Sequence, residues 1–262
     1  MLATFNDALA DVRDGLRLRR VWMTLAHEDI GDQYRRTTLG PLWLLVNYLA
    51  FAGSFILLVH GGQDDYNYPA FVATGLLVWF FIMDIISSSV TLFLREEGFI
   101  KGTTLPLSVY VMRFFMQSVT RAGYALIGCL IILFFSGVEF SAMWLWSALG
   151  IAVTLFAVPP AIIVFAFLGA FFPDSQFLVS NSMRVGMFLT PVFWTYEGSG
   201  GFRHFVYHWN PFTYYLEIVR FPILWGTVHV GACLICLAIG LGLWVLALLL
   251  LGRLRRQVVF VL

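Results

Sequence analysis

Arg113, Gln117 and Arg121 are spaced four residues apart inside a long apolar run, so on a helix they form one polar stripe. A guanidinium in such a run faces a bundle interior or a wet cavity and usually sits beside a partner. Asp84, in the preceding apolar run, falls at a similar depth at ~1.5 Å rise per residue. Two readings follow. Either an Asp84–Arg113 or Asp84–Arg121 pair ties neighbouring spans, or the stripe is a cationic patch that attracts a substrate phosphate near the cytoplasmic entrance. Aromatics supply a second kind of chemistry, at 17% of the chain. Trp79, Phe80, Phe81, Phe193, Trp194, Tyr196, Tyr207, Trp209, Phe212, Tyr214 and Tyr215 gather towards the outer half of the spans. Many of them fit the interfacial belt of a membrane protein. Flat rings also pack on the C–H faces of sugars, so part of this set is expected to line a translocation path.

Catalytic constellations are hard to find. His204 and His208 would share a helix face at the spacing of a two-His metal site, but only Glu197 stands nearby as a third ligand, and interfacial anchoring is the expected role. Cys233 and Cys236 form a CxxC without a second cysteine pair, and with Cys129 they are expected to be apolar packing residues. Gly98-Phe-Ile-Lys-Gly-Thr-Thr104 has its glycines and lysine in the wrong order for a phosphate-cradling loop. The chain is therefore expected to be no enzyme and to bind no metal or cofactor itself, with ATP and Mg²⁺ handled by a partner subunit.

These residues need membrane-spanning elements to position them. The chain is 60% hydrophobic and 12% charged, against ~25% charged in soluble domains, and its mean hydropathy is +0.84. A net charge of +1 gives no footing for nucleic acid. Residues 1–38 read as an amphipathic segment at the membrane interface: Leu9, Val12, Leu16 and Leu18 alternate with Asp11, Arg13, Asp14, Arg17, Arg19 and Arg20. No cleavable signal is legible there. Residues 39–262 are expected to form an all-α domain of six transmembrane helices, at about 42–60, 70–93, 108–135, 143–171, 177–196 and 228–251. Pro159-Pro160 predicts a kink or break in the fourth, and Pro191 lies inside the fifth. The aromatic, glycine-bearing stretch 197–224 fits short re-entrant helices before the last span. Arg13, Arg17, Arg19, Arg20, Arg35, Arg36, Arg95, Lys101, Arg184, Arg253, Arg255 and Arg256 fall on one side. Arg203, Arg220, Asp64, Asp65 and Glu139 fall on the other, which places both termini in the cytoplasm.

Three segments carry a family resemblance. His27-Glu-Asp-Ile-Gly-Asp-Gln-Tyr-Arg-Arg-Thr-Thr-Leu-Gly-Pro-Leu-Trp43 resembles the segment leading into the first span of polysaccharide-export permeases of the type-2 ABC class. Glu97-Gly-Phe-Ile-Lys101, followed by Leu105-Pro106-Leu107, is similar to their cytoplasmic segment after the second span. Asn210-Pro211-Phe-Thr-Tyr-Tyr-Leu-Glu-Ile-Val-Arg220 resembles their Asn-Pro…Arg motif before the last span. The matches occur in order and cover nearly the whole chain; Gly31-Asp32 departs from the family, which has a basic residue after its Asp-Ile pair. The resemblance implies a homodimer in the bacterial inner membrane, docked on two ABC ATPase subunits. It would export O-antigen, capsule or a similar lipid-linked glycan. It also implies that Arg95, Glu96, Glu97, Lys101 and Thr104 belong to the ATPase-coupling surface. A type-2 permease for a drug or lipid, and an intramembrane glycosyl- or phosphotransferase, are the alternatives. The enzyme would need clustered Asp or His beyond the isolated Asp84.

Overall fold

A computed structural model describes residues 2–59, 67–196, 198 and 200–262. His60, Asp64, Asp65 and Glu197 lie outside the described residues. Twelve helices account for the ordered elements among those described. Four of them are long and apolar enough to cross a membrane: α4 (Tyr68–Ser89), α7 (Leu107–Phe135), α8 (Trp144–Phe171) and α12 (Val230–Val261). A fifth, α3 (Leu42–Val59), is apolar but shorter.

The bundle is built around α4. Its most apolar stretch is 72% buried inside the chain, whereas those of α7 and α12 are 22% buried. A helix apolar on every side belongs in an interior, and α3, α7, α8 and α11 (Pro211–Leu224) surround this one. Phe71, Leu76 and Trp79 centre one core; Phe93, Ile162, Phe167 and Leu251 form a second towards the other end.

Helix boundaries follow local chemistry. Asn67 caps α4 by accepting from the Ala70 N–H at 3.3 Å, and its amide donates to the Ser136 carbonyl at 2.6 Å. Asn210 caps α11 in the same way, accepting from the Phe212 N–H at 3.0 Å, with Pro211 at the first helical position where no N–H is needed. At the opposite end the Asp11 carboxylate accepts from the Leu107 and Ser108 N–H groups (3.3 and 3.1 Å) that open α7. Close helix crossings use glycine: a Cβ at Gly169 would strike the Val90 carbonyl, and one at Gly150 would lie 2.5 Å from the Ile218 carbonyl oxygen.

Several expectations are corrected. The N-terminal segment is two helices, α1 (Leu2–Arg17) and α2 (Arg19–Tyr34), hinged at Leu18. Helix α1 packs through Ala8, Asp11 and Gly15, and leaves Leu9 and Leu16 exposed beside Arg13, Arg17 and Arg19, a face free to lie at a membrane interface. The second span stops at Ser89, and the chain continues as two short helices, α5 (Leu92–Arg95) and α6 (Glu97–Gly102). Pro159 and Pro160 do not break α8. Pro160 cannot donate to the Phe156 carbonyl, and the indole N–H of Trp244 on α12 donates to it instead at 3.1 Å. The expected fifth span is α9 (Ser175–Leu189), which ends before Pro191 because Thr190 turns extended. The last helix continues to Val261, so Arg253, Arg255 and Arg256 are helical. Arg220, counted among the charges of the outer side, is a buried residue of α11.

Candidate functional site

The polar stripe of α7 divides between two partners. Arg113 grips Asp29 of α2 with Nε at 2.6 Å and Nη2 at 2.7 Å, while Nη1 reaches Glu96, the residue between α5 and α6, at 2.8 Å. Gln117 donates to the same Asp29 carboxylate. One guanidinium thus joins a membrane helix, the N-terminal segment and the α5–α6 segment in a fork geometry that suits arginine. A turn further on, Arg121 donates to Asp84 of α4 through Nε (3.2 Å) and Nη2 (2.8 Å), and Ser118 donates to the same oxygen at 2.9 Å. Of the two pairings left open for Asp84, the structure has Arg121. Arg113 is committed elsewhere because α2 lies along the start of α7.

Asp84 and Arg121 line a cavity of about 300 Å³ between α3, α4 and α7, together with Asn47, Tyr48, Phe51 and Phe80. Phe80 meets Phe51 edge-on at 5.0 Å and Tyr48 at 6.3 Å. An ion pair at one side and aromatic rings at the other give this space both a polar and an apolar wall.

The remaining aromatic candidates sort by position. Trp79 is fully buried, 5.5 Å from Phe212, and belongs to the core. Tyr215 is buried too, donating its hydroxyl to the Cys236 carbonyl at 3.3 Å. Trp194, Tyr196, Tyr207, Trp209 and Tyr214 do cluster, around α10 (Phe202–Trp209). Tyr196 stacks on Tyr207 at 4.9 Å and hydrogen-bonds His204, Tyr214 donates to the His208 carbonyl at 2.7 Å, and Trp209 is 75% exposed. His204 and His208 share a face of α10 as their spacing predicts, 4.4 Å between ring centroids. Helices α10 and α11 form a hairpin whose tip, Asn210-Pro211, is tied to Thr190 by the Asn210 amide at 2.7 Å.

Among the coupling candidates, Arg95, Lys101 and Thr104 are exposed and Glu97 is half-buried, and Glu97 and Lys101 pair at 2.7 Å across one helical turn. Glu96 is 9% exposed and pairs with Arg113. Three polar residues escaped a reading of the sequence. Asp29 and Asp11 sit among other charges in a polar segment and nothing local distinguishes them. Glu217, 3% exposed, pairs with His229 at 2.5 Å; its position in an apolar helix beside Arg220 was the signal that could have found it.

Lipid-length apolar helices enclosing charged pairs, with the largely buried α11 before the last helix, define a multi-pass helical membrane protein. The chain belongs to the ABC-2 type transporter family, which it matches over residues 20–224. Two relatives from Klebsiella pneumoniae carry the name O-antigen export system permease protein RfbA. One is 24% identical over 241 residues, covering 90% of this chain and 92% of the relative. The other is 27% identical over 176 residues, covering 65% and 67%.

Proposed function

We propose that this chain is the membrane subunit of an ATP-driven exporter that moves a lipid-linked polysaccharide, O-antigen or a similar polymer, across the bacterial inner membrane. The observation that carries this reading is end-to-end similarity to O-antigen export permeases, with 90% of the chain aligned. Two copies form the channel and each docks on a separate ATPase subunit, which supplies ATP and Mg²⁺ chemistry. Six spans follow if α3 and α9 cross with the four long helices. At 15 residues α9 is about 22 Å long, short of the ~30 Å hydrocarbon core; the extended residues after it complete the crossing under cover of α11. The α10–α11 hairpin is then re-entrant, since its tip is packed on protein at Thr190 and Trp79 rather than on lipid.

In this reading the exposed Glu97–Lys101 helix meets the ATPase, and its motion reaches α2 through Glu96, Arg113 and Asp29. The Arg121–Asp84 cavity and the aromatic cluster at α10 lie on or beside the polymer's route. The test is co-expression with the neighbouring ATPase gene and purification in mild detergent. A stable complex that hydrolyses ATP, and polymer trapped inside cells when the permease is deleted, is the expected result. Absence of both would overturn the reading.

A further inference from the structure

Helix α12 is longer than a bilayer requires. Its apolar part, residues 230–251, is about 33 Å long at ~1.5 Å rise per residue, which already fills the ~30 Å hydrocarbon core. Residues 252–261 stay helical and project past it. One side of this extension is committed to the chain. Leu251 and Val258 are buried in one core with Ala8 of α1 and Ile100 of α6, and Arg255 lies 3.5 Å from Asp11. The opposite side carries Arg253, Arg256 and Phe260, whose spacing puts them on one helix face. All three are exposed, Phe260 to 89%. Val259 and Val261 flank it and are exposed as well, and three consecutive exposed apolar residues with a cationic rim mark an interaction surface.

Depth and charge select the occupant. Headgroups add about 5–8 Å to each side of the hydrocarbon core. Phe260 stands about 13 Å beyond Leu251 along the helix, and about 10 Å even at the ~40° upper limit of tilt. It therefore lies past the lipid, in water, where a protein must cover it. Neither Arg253 nor Arg256 pairs with a carboxylate among the described residues. A second copy meeting this face with its own would set arginine against arginine, which is unfavourable. The surface is also continuous with α6, which touches α12 and carries the exposed Lys101.

We infer that the end of α12 is a second docking element for the ATPase subunit, which receives Phe260 in an apolar pocket rimmed by acidic side chains that face Arg253 and Arg256. The inference rests on the exporter reading and adds to it a contact beyond α6. Because α12 is one unbroken helix packed along α8, this contact holds the ATPase against the body of the bundle while α6 responds to it.

The test uses the full-length permease in lipid nanodiscs and its purified ATPase subunit. The photoreactive p-benzoylphenylalanine takes the place of Phe260 or, as a control, of Val245, which is exposed in the middle of the apolar part of α12. Irradiation should link the ATPase to position 260 and not to position 245. Phe260→Ala should weaken ATPase binding about tenfold or more, as expected when the aromatic anchor of an interface is truncated. Arg253→Glu combined with Arg256→Glu should do the same. Both variants should leave the thermal midpoint of the permease alone unchanged, since the altered side chains are exposed. Links from position 260 to lipid only, or to a second permease only, would overturn the docking element, as would ATPase affinity that neither variant alters. Failure of the unaltered permease to bind the ATPase at all would instead overturn the exporter reading, and this inference with it.

Discussion

Arg113 carries more of the structure than its place in an apolar run suggests. Three of its five donors are distributed between Asp29 and Glu96, and its side chain is 13% exposed. Removing it leaves Glu96 buried and charged with only a loose contact to Arg95 at 3.8 Å. Arg113→Ala should therefore cost about 3 kcal/mol, as expected for breaking a buried pair from one side, seen as a lower thermal midpoint in mild detergent. Neutralising the partners as well, with Asp29→Asn and Glu96→Gln, should recover much of that loss, because the uncompensated charges are gone. Arg113→Lys should not rescue, since an ammonium cannot span both carboxylates. The stripe itself was legible from four-residue spacing, and so was the need for acidic partners. Asp29 was not: it is 84 positions away in a segment rich in charge, and only the docking of α2 on α7 selects it.

Single elements show where local patterning speaks and where tertiary context overrides it. Hydropathy located α4, α7 and α8 to within a few residues, and the start of α12 likewise, because unbroken apolar runs have one low-energy home. It overran the end of α9, and it stopped α12 at Arg253, Arg255 and Arg256, although the helix continues through those charges to Val261. Pro159-Pro160 misled for a definite reason: a proline's cost depends on whether the freed carbonyl finds another donor, and Trp244 lies on a helix more than eighty positions downstream. Trp244→Phe should thus destabilise the protein by about 1 kcal/mol, the net worth of one hydrogen bond, measurable as a shift in thermal midpoint; an unchanged midpoint would show that the Phe156 carbonyl needs no substitute donor. The α6 helix gives a functional counterpart. Its Glu97–Lys101 pair is solvent-exposed, worth only about 0.3–0.5 kcal/mol. Glu97→Lys combined with Lys101→Glu preserves the internal pair, so folding should be unaffected. If the helix meets the ATPase, the swap should still lower ATP hydrolysis in the purified complex several-fold; full activity would separate this helix from the coupling surface.

For the molecule as a whole, charge asymmetry and packing point to the same orientation. Arg13, Arg17, Arg95, Lys101 and Arg255 collect at the end where α1 caps α7 and meets α12 through Arg255, 3.5 Å from Asp11. At the other end α10, the start of α4 and the start of α12 carry one exposed cation, Arg203, among the described residues. Lysine and arginine are retained on the cytoplasmic side, and on that rule we expect both termini and the α5–α6 segment inside and the α10–α11 end outside. The short α9 is the decisive element, since a crossing there makes six spans and a failure to cross makes the count odd. Single cysteines at positions 101, 174 and 203, introduced into a chain whose native cysteines are replaced, can settle this with a membrane-impermeant thiol reagent on intact spheroplasts. Only position 203 should label before permeabilisation, while 101 and 174 should label after it. Labelling of 174 and 203 together would keep α9 on one side of the membrane and require the exit to be rebuilt from α10 and α11 alone.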